Sequence, residues 1–196
     1  MLNYPLNFSF KIVAFNPQVK VTDAGGNVVL YVKQKALALR EDIKIFADEG
    51  QTRQLYQLKT NKIIDFSATY NITNAATGAA LGALKRQGMR SIFKATYNIL
   101  DGAGGEAGLI HEENAWVKVA DALLGEVPIL GIFSGYLFNP AYLVDFKGKT
   151  ALYLKKQPAF LEGKFTVEKR GDFSDADEGL LISSVVMTLM LERMRG

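Results

Sequence analysis

The sequence contains no cysteine and a single histidine, His111, among its 196 residues. Without cysteine there is no disulfide framework, thiolate metal site or cysteine nucleophile. Any imidazole base would have to be His111, and the sequence shows no catalytic triad or metal-ligand spacing. These absences favour an intracellular protein and count against the commonest kinds of catalytic site.

Long apolar runs and a strong charge imbalance are also missing. The longest apolar stretches, 127–138 and 180–191, are shorter than the roughly 18 residues expected of a membrane-spanning helix. The N-terminus lacks a basic region, and Asn3, Pro5 and Asn7 interrupt its apolar residues, so we expect no signal peptide. The net charge is +3, from 23 basic and 20 acidic residues, which is too small to indicate nucleic-acid binding. We therefore expect a cytoplasmic protein with no transmembrane span and no nucleic-acid partner.

Apolar and polar residues alternate along much of the chain. Tyr70 and Ile72 end one alternating run, and Tyr97 and Ile99 end another. A period of two residues is typical of half-buried β-strands. The chain is therefore predicted to form one all-β domain covering residues 1–196.

The two runs end in segments that both begin with ATYNI, namely ATYNITNAATGAALG from Ala68 and ATYNILDGAGGEAGL from Ala95. In each, an Asp or Asn precedes a Gly by three or four residues, and looser forms occur twice more. The Asp or Asn side chain bonds to the backbone just ahead of it, and Gly supplies the positive φ that tight hairpins require. Four hairpin turns are predicted, at Asp23–Gly26, Asn74–Gly78, Asp101–Gly104 and Asp145–Gly148.

The third of these turns also fits a phosphate-binding pattern, because Gly102, Gly104 and Ala107 have the spacing G-x-G-x-x-A. A dinucleotide fingerprint leads from a strand into a helix, whereas the following segment, GLIHEENAW, has no clear helical start. The three related turns lack the pattern. We therefore interpret this segment as a hairpin turn and expect no nucleotide to bind there.

The C-terminal segment changes character and is predicted to be a helix. Asp175 and Glu178 are spaced like a capping box, and Arg193 and Arg195 at the other end suit the helix dipole. Nine of the twelve residues in Leu180–Leu191 are apolar, so the helix needs burial on every side, which an all-β protein provides by closing a barrel around it. The other three are expected to bond their hydroxyls to nearby backbone carbonyls; they are Ser183, Ser184 and Thr188.

Two further segments have more than one interpretation. Residues 113–125 fit a short helix capped by Asn114 and closed by Gly125, although part of the segment also alternates like a strand. Residues 127–140 are rich in aromatic and aliphatic side chains, which favours a buried strand. The alternative for this second segment is a contact loop or a shallow membrane insertion.

Repeated hairpins of the form strand, Asp-x-x-Gly, strand, followed by an apolar C-terminal helix, resemble the LURP-one-related family, which belongs with tubby C-terminal domains and phospholipid scramblases. The resemblance covers most of the chain and depends on turn and apolar patterns rather than on a catalytic signature. It implies a closed twelve-stranded antiparallel barrel around a central hydrophobic helix, the place taken here by Leu180–Leu191.

The same resemblance implies a ligand class, because tubby domains bind phosphoinositide headgroups through basic residues on the barrel. Basic residues recur after the turns of this chain, where corresponding positions in repeated hairpins would gather on one side. Each cation near an anionic membrane contributes about 1 kcal/mol, so several are needed. Solvated strand ends are the alternative explanation. The predicted ligand-binding residues are Lys33, Lys35, Lys85, Arg86, Lys155 and Lys156.

Scramblases carry a proposed calcium segment just before the terminal helix, and this chain has four carboxylates there. An EF-hand-like count from Asp175 places Val186 where the bidentate Glu should stand. Helix capping explains the carboxylates more simply, and the sequence leaves calcium binding open. The four residues are Asp172, Asp175, Asp177 and Glu178.

These observations predict a non-enzymatic binding module, without a cofactor, that associates peripherally with a membrane through anionic lipid headgroups such as phosphoinositides. Two alternatives stay open: a protein-interaction or regulatory module, and a small-molecule enzyme with a cleft at the barrel mouth. For the enzyme, His111 beside Glu112 and Glu113 is the candidate base. A lone histidine at a strand end is more often structural, so we expect no catalytic role for it.

Overall fold

The computed structural model describes residues 1–11, 18–33, 42–60, 68–87, 96–113, 141–158 and 163–193. These residues form twelve antiparallel strands, which close into a barrel, and one C-terminal helix packed inside it. The barrel and its helix, both predicted from the sequence, are confirmed.

The elements are short strands followed by one long helix. They are β1 (Leu6–Lys11), β2 (Gln18–Thr22), β3 (Val28–Lys33), β4 (Asp42–Phe46), β5 (Gln54–Lys59), β6 (Thr69–Asn74), β7 (Ala80–Arg86), β8 (Thr96–Asp101), β9 (Glu106–Glu112), β10 (Ala141–Phe146), β11 (Lys149–Gln157), β12 (Gly163–Lys169) and α1 (Asp175–Arg193).

Each strand pairs with its neighbours in sequence, and β1 pairs with β12 to complete the barrel. Alternate side chains face the interior, where Phe8, Ile99 and Leu152 are almost completely buried. The turns that follow β2, β4, β6, β8 and β10 all lie at one end of the barrel, which we call the hairpin end. The odd-numbered strands finish at the opposite end, which we call the far end.

The turns at the hairpin end follow the predicted chemistry at three of the four sites. The Asp23 carboxylate accepts the Asn27 amide at 2.8 Å, and the Asp101 carboxylate accepts the Gly105 amide at 2.9 Å. Gly104 has a φ of 85° and leads directly into β9. The glycine-rich loop is therefore a hairpin turn, as predicted.

The fourth site, at Asp145, does not share this device. Its carboxylate accepts the Thr150 hydroxyl at 2.7 Å, and the turn consists of Lys147 and Gly148, both with positive φ. The hairpin turn and the positive φ of Gly148 are as predicted, but the bond from Asp145 to the backbone is not, because a two-residue turn of this kind closes through its own backbone. An unpredicted turn of the expected type occurs at Asp48 instead, whose carboxylate accepts two amides after β4.

Replacing Gly104 with Val is expected to lower the free energy of unfolding by about 1 to 3 kcal/mol, because a β-branched residue is strained at positive φ. The position has no neighbouring atom within 4 Å of an added Cβ, so steric contact contributes little. Urea denaturation measures the loss. Calorimetry with NAD or ATP on the unmodified protein is expected to show no binding, and micromolar binding would overturn the hairpin interpretation.

The helix cap is Ser174 rather than Asp175. The Ser174 hydroxyl accepts the Asp177 amide at 3.1 Å and donates to the Asp177 carboxylate at 2.7 Å. The predicted capping box of Asp175 and Glu178 is therefore wrong by one residue. Glu178 is turned inward and accepts the Leu2 amide at 2.9 Å. Ser and Asp are both strong cap residues, so residue type did not distinguish the two registers.

The helix fills the barrel, and its apolar residues Leu181, Val185 and Val186 are completely buried. Its hydroxyl residues are equally buried, but the prediction that they bond to backbone carbonyls is wrong. Among the described residues, none of the three hydroxyl oxygens has a hydrogen-bond partner. The inward side chains of the wall are mainly apolar, and small residues let the helix approach it closely. The three residues are Ser183, Ser184 and Thr188.

Candidate functional site

The sequence-predicted basic residues that the structure describes all lie at the far end of the barrel, but on separate walls. Their strands β3, β7 and β11 are four strands apart in the barrel order. Lys33, Lys85 and Lys155 are exposed on the outer wall, and the residue before each of them is buried. Adjacent strands lie about 4.8 Å apart, so these three side chains start on the order of 19 Å from one another around the wall. The set does not gather on one side.

Two other members of that set lie on the inner face of the barrel. Arg86 stands opposite Tyr97, and Lys156 stands opposite Phe165, and both partners pack on the core. Tyr97 donates a hydrogen bond to Glu192 of α1 at 2.5 Å, so the inner wall is polar around the end of the helix. The remaining member, Lys35, lies outside the described residues.

Barrel closure assembles a different basic surface on the outer wall. The adjacent strands β11, β12, β1, β2 and β3 each carry an outward-facing lysine. At the centre, Ser9 of β1 lies between Lys164 of β12 and Lys20 of β2. Two members of the sequence-predicted set flank this surface, which we call the basic face. Its lysines are Lys11, Lys20, Lys33, Lys155 and Lys164.

A groove of about 330 Å³ follows the centre of the basic face. Lys11, Lys20 and Lys164 line it together with polar residues that include Ser9 and Asn7. Its described lining holds no carboxylate and no imidazole. Lysine ammonium groups form short, charge-assisted bonds to anionic oxygens, and the volume is within the range of small-ligand sites. The groove is therefore suited to a compact anion.

One lysine of the groove has a counter-charge supplied by the protein. The Lys20 Nζ lies 2.6 Å from the carboxylate of Glu49, in the turn between β4 and β5. Tyr31 stands opposite Lys20 on β3, and burial, followed by the charge of Glu49, raises the pKa of Tyr31. In the described part of the chain, Lys11 and Lys164 have no carboxylate within ion-pair distance. Among the described residues, two lysines of the groove therefore have no carboxylate partner, and the third, Lys20, is paired with Glu49.

The sequence-based prediction did not include Lys11, Lys20 or Lys164, because it considered the basic residues that follow the repeated turns and not those that face outward along the strands. The available signal was alternation: Lys11 follows Phe8 and Phe10 on the opposite phase. Alternation alone would still not have shown that β12 lies beside β1.

Of the four carboxylates at the start of α1, two share one partner, because the N-terminal ammonium group of Met1 lies 3.2 Å from Asp175 and 3.8 Å from Glu178. The other two have separate partners. Asp172 lies 3.7 Å from the Lys169 Nζ, and Asp177 lies 2.9 Å from the Lys147 Nζ. Glu178 binds a backbone amide in the interior. Across the described ranges, no group of three such side chains is placed to hold a metal ion.

His111 belongs to a hydrogen-bonded cluster on the outer wall. Its Nε2 lies 2.9 Å from the Asp145 carboxylate, which also accepts the Thr150 hydroxyl at 2.7 Å. Burial alone would raise the pKa of Asp145, but the hydrogen bonds from Thr150 and His111 outweigh it and lower the pKa. Because the carboxylate stands between the imidazole and the hydroxyl, His111 is not placed to activate Thr150 as a nucleophile.

The short helix predicted within 113–125 and the apolar segment 127–140 fall almost entirely outside the described residues. Among the helices of the described chain, none is long and apolar enough to cross a membrane.

Comparison with known proteins gives one informative likeness. The X-ray structure of a protein from Arabidopsis thaliana is similar to this chain, with a TM-score of 0.51 and 13% sequence identity. The match covers 100% of this chain and 94% of the Arabidopsis chain. No family model and no curated protein matches the sequence. At this identity the likeness concerns the fold alone, and membership of the LURP-one-related family stays a prediction.

Proposed function

We propose that this protein is a non-enzymatic binding module whose basic face binds anionic lipid headgroups at a membrane surface. The observation that carries the proposal is the row of lysines on five adjacent strands around a polar groove. The overall charge of +3 is modest, so anion binding depends on how these cations are arranged.

The outer wall suits a lipid surface because its cations lie on consecutive strands and spread over a broad area. Each lysine near an anionic membrane contributes about 1 kcal/mol, so the three groove lysines together contribute about 3 kcal/mol. The carboxylate on the outward positions of β12, Glu168, is already paired with Arg170 at 2.5 Å. Ser9 and Asn7 add hydrogen-bonding groups for phosphate oxygens or ring hydroxyls.

The test is vesicle co-sedimentation with phosphatidylcholine alone and with phosphatidylcholine containing a phosphoinositide. We expect binding only to the phosphoinositide vesicles. Replacing Lys11, Lys20 and Lys164 with Ala should weaken this binding by about 3 kcal/mol, which is about 150-fold, at low salt. Raising the ionic strength should reproduce much of the loss, because exposed charges are screened beyond about 8 Å at 0.15 M.

The matched control removes three exposed cations from the β4–β5 hairpin, Lys44, Arg53 and Lys59, and should change binding far less. Equal losses in the two triple variants would show that net charge, not the groove, controls binding. If the unmodified protein does not bind any anionic vesicle, a protein-interaction module becomes the better hypothesis. Salt-independent binding would indicate apolar insertion instead.

A further inference from the structure

We infer that Glu49, which lies beside the groove and not in its lining, is a competing anion that an incoming ligand must displace from Lys20. This inference depends on the proposed function, because it describes how the same groove is regulated. Its basis is the 2.6 Å ion pair between the Lys20 Nζ and the Glu49 carboxylate.

The turn that carries Glu49 is held in place independently of the groove. The neighbouring Asp48 carboxylate accepts the amides of Thr52 and Arg53 at 3.1 and 3.2 Å and also accepts the Thr52 hydroxyl at 2.9 Å. The backbone of the turn is therefore fixed while the Glu49 side chain remains about half exposed. Release of Glu49 from Lys20 requires a change of side-chain rotamer and leaves the fold unchanged.

Because the ion pair between Lys20 and Glu49 is weak, a ligand can displace Glu49 reversibly. Exposed ion pairs contribute little to stability, so Glu49 holds Lys20 weakly. Lys11 and Lys164 face the same groove without a carboxylate partner in the described ranges, and they attract an anion before Lys20 is released. A multiply charged phosphate group can then replace the single carboxylate, whereas a weak anion competes poorly. Glu49 thereby sets a charge threshold for occupancy.

The experiment measures affinity for two probes, inositol trisphosphate in solution and phosphoinositide vesicles, so that free and membrane-bound headgroups are distinguished. Glu49→Gln keeps the side-chain shape and is expected to tighten binding by about two- to fivefold. Glu106→Gln, on β9 five strands from β2, removes the same charge and serves as the control. Its effect should be smaller.

The Lys20→Ala background separates release of Lys20 from a general loss of negative charge. In the Lys20→Ala protein, Glu49→Gln should increase the affinity by no more than Glu106→Gln does. The inference is overturned if Glu49→Gln increases the affinity by about two- to fivefold even in the Lys20→Ala protein. It is also overturned if the two Glu variants increase the affinity of the otherwise unmodified protein equally. In both cases the proposed function stands. Absence of binding by the unmodified protein and by every variant overturns both.

Discussion

Val186→Asp is expected to unfold the protein. Val186 lies in the middle of α1 with 0% exposure, and apolar side chains surround it on the inner wall. An unpaired carboxylate in such a position costs several kcal/mol, against a total stability of about 5 to 15 kcal/mol for a domain. Circular dichroism during heating should show either no cooperative unfolding transition or a strongly lowered melting temperature.

The control for this variant adds the same charge at an exposed site. Asn71 faces outward on β6, and Asn71→Asp should change the free energy of unfolding by less than about 0.5 kcal/mol. A Val186→Asp protein with the unmodified melting temperature would mean that the helix is not the core of the barrel.

The second large effect is expected from Gly82→Val on β7. Gly82 has a φ of 149°, and an added Cβ would lie 2.1 Å from the Leu100 carbonyl oxygen and 3.0 Å from the Leu180 side chain. Backbone strain of about 1 to 3 kcal/mol adds to an overpacking cost of about 1 to 3 kcal/mol, so the expected loss is about 2 to 6 kcal/mol. Urea denaturation measures it.

Gly104→Val is the comparison for this second variant, because Gly104 also has positive φ but has open space around it. The excess loss at Gly82 measures the steric cost of a side chain between the Leu100 carbonyl of β8 and the Leu180 side chain of α1. If the two variants lose equal stability, the surroundings of Gly82 are not packed as closely as described.

Much of the fold follows from short-range patterns. Alternation around Tyr70 and Tyr97 predicts strands, and paired Asp and Gly residues such as Asp101 and Gly104 predict the turns between them. These patterns span only a few consecutive residues, so they can be recognised without knowledge of the whole fold. The helix cap was misplaced by one residue because Ser174 and Asp175 compete for the same role.

The basic face could not be predicted in the same way, because it depends on pairs distant in sequence. Ser9 is placed between Lys20 and Lys164 by the register of three strands, one of which comes from the other end of the domain. Whether a side chain points outward or inward also depends on its position in the alternation of the strand. Lys155 faces solvent, whereas the next residue, Lys156, stands on the inner face opposite Phe165. Counting basic residues after turns ignores both facts.

The pairing of β1 with β12 also determines when the chain can finish folding. This pairing brings Leu6 beside Val167, and contacts so distant in sequence form slowly because of the entropy of loop closure. While the chain is being synthesised, β1 keeps an open edge until β12 has emerged, and open edges promote aggregation. The interior also remains unfilled until α1 follows. The topology that leaves the finished barrel without a free edge at this seam therefore leaves the incomplete chain with an open edge and an unfilled interior until β12 and α1 are present.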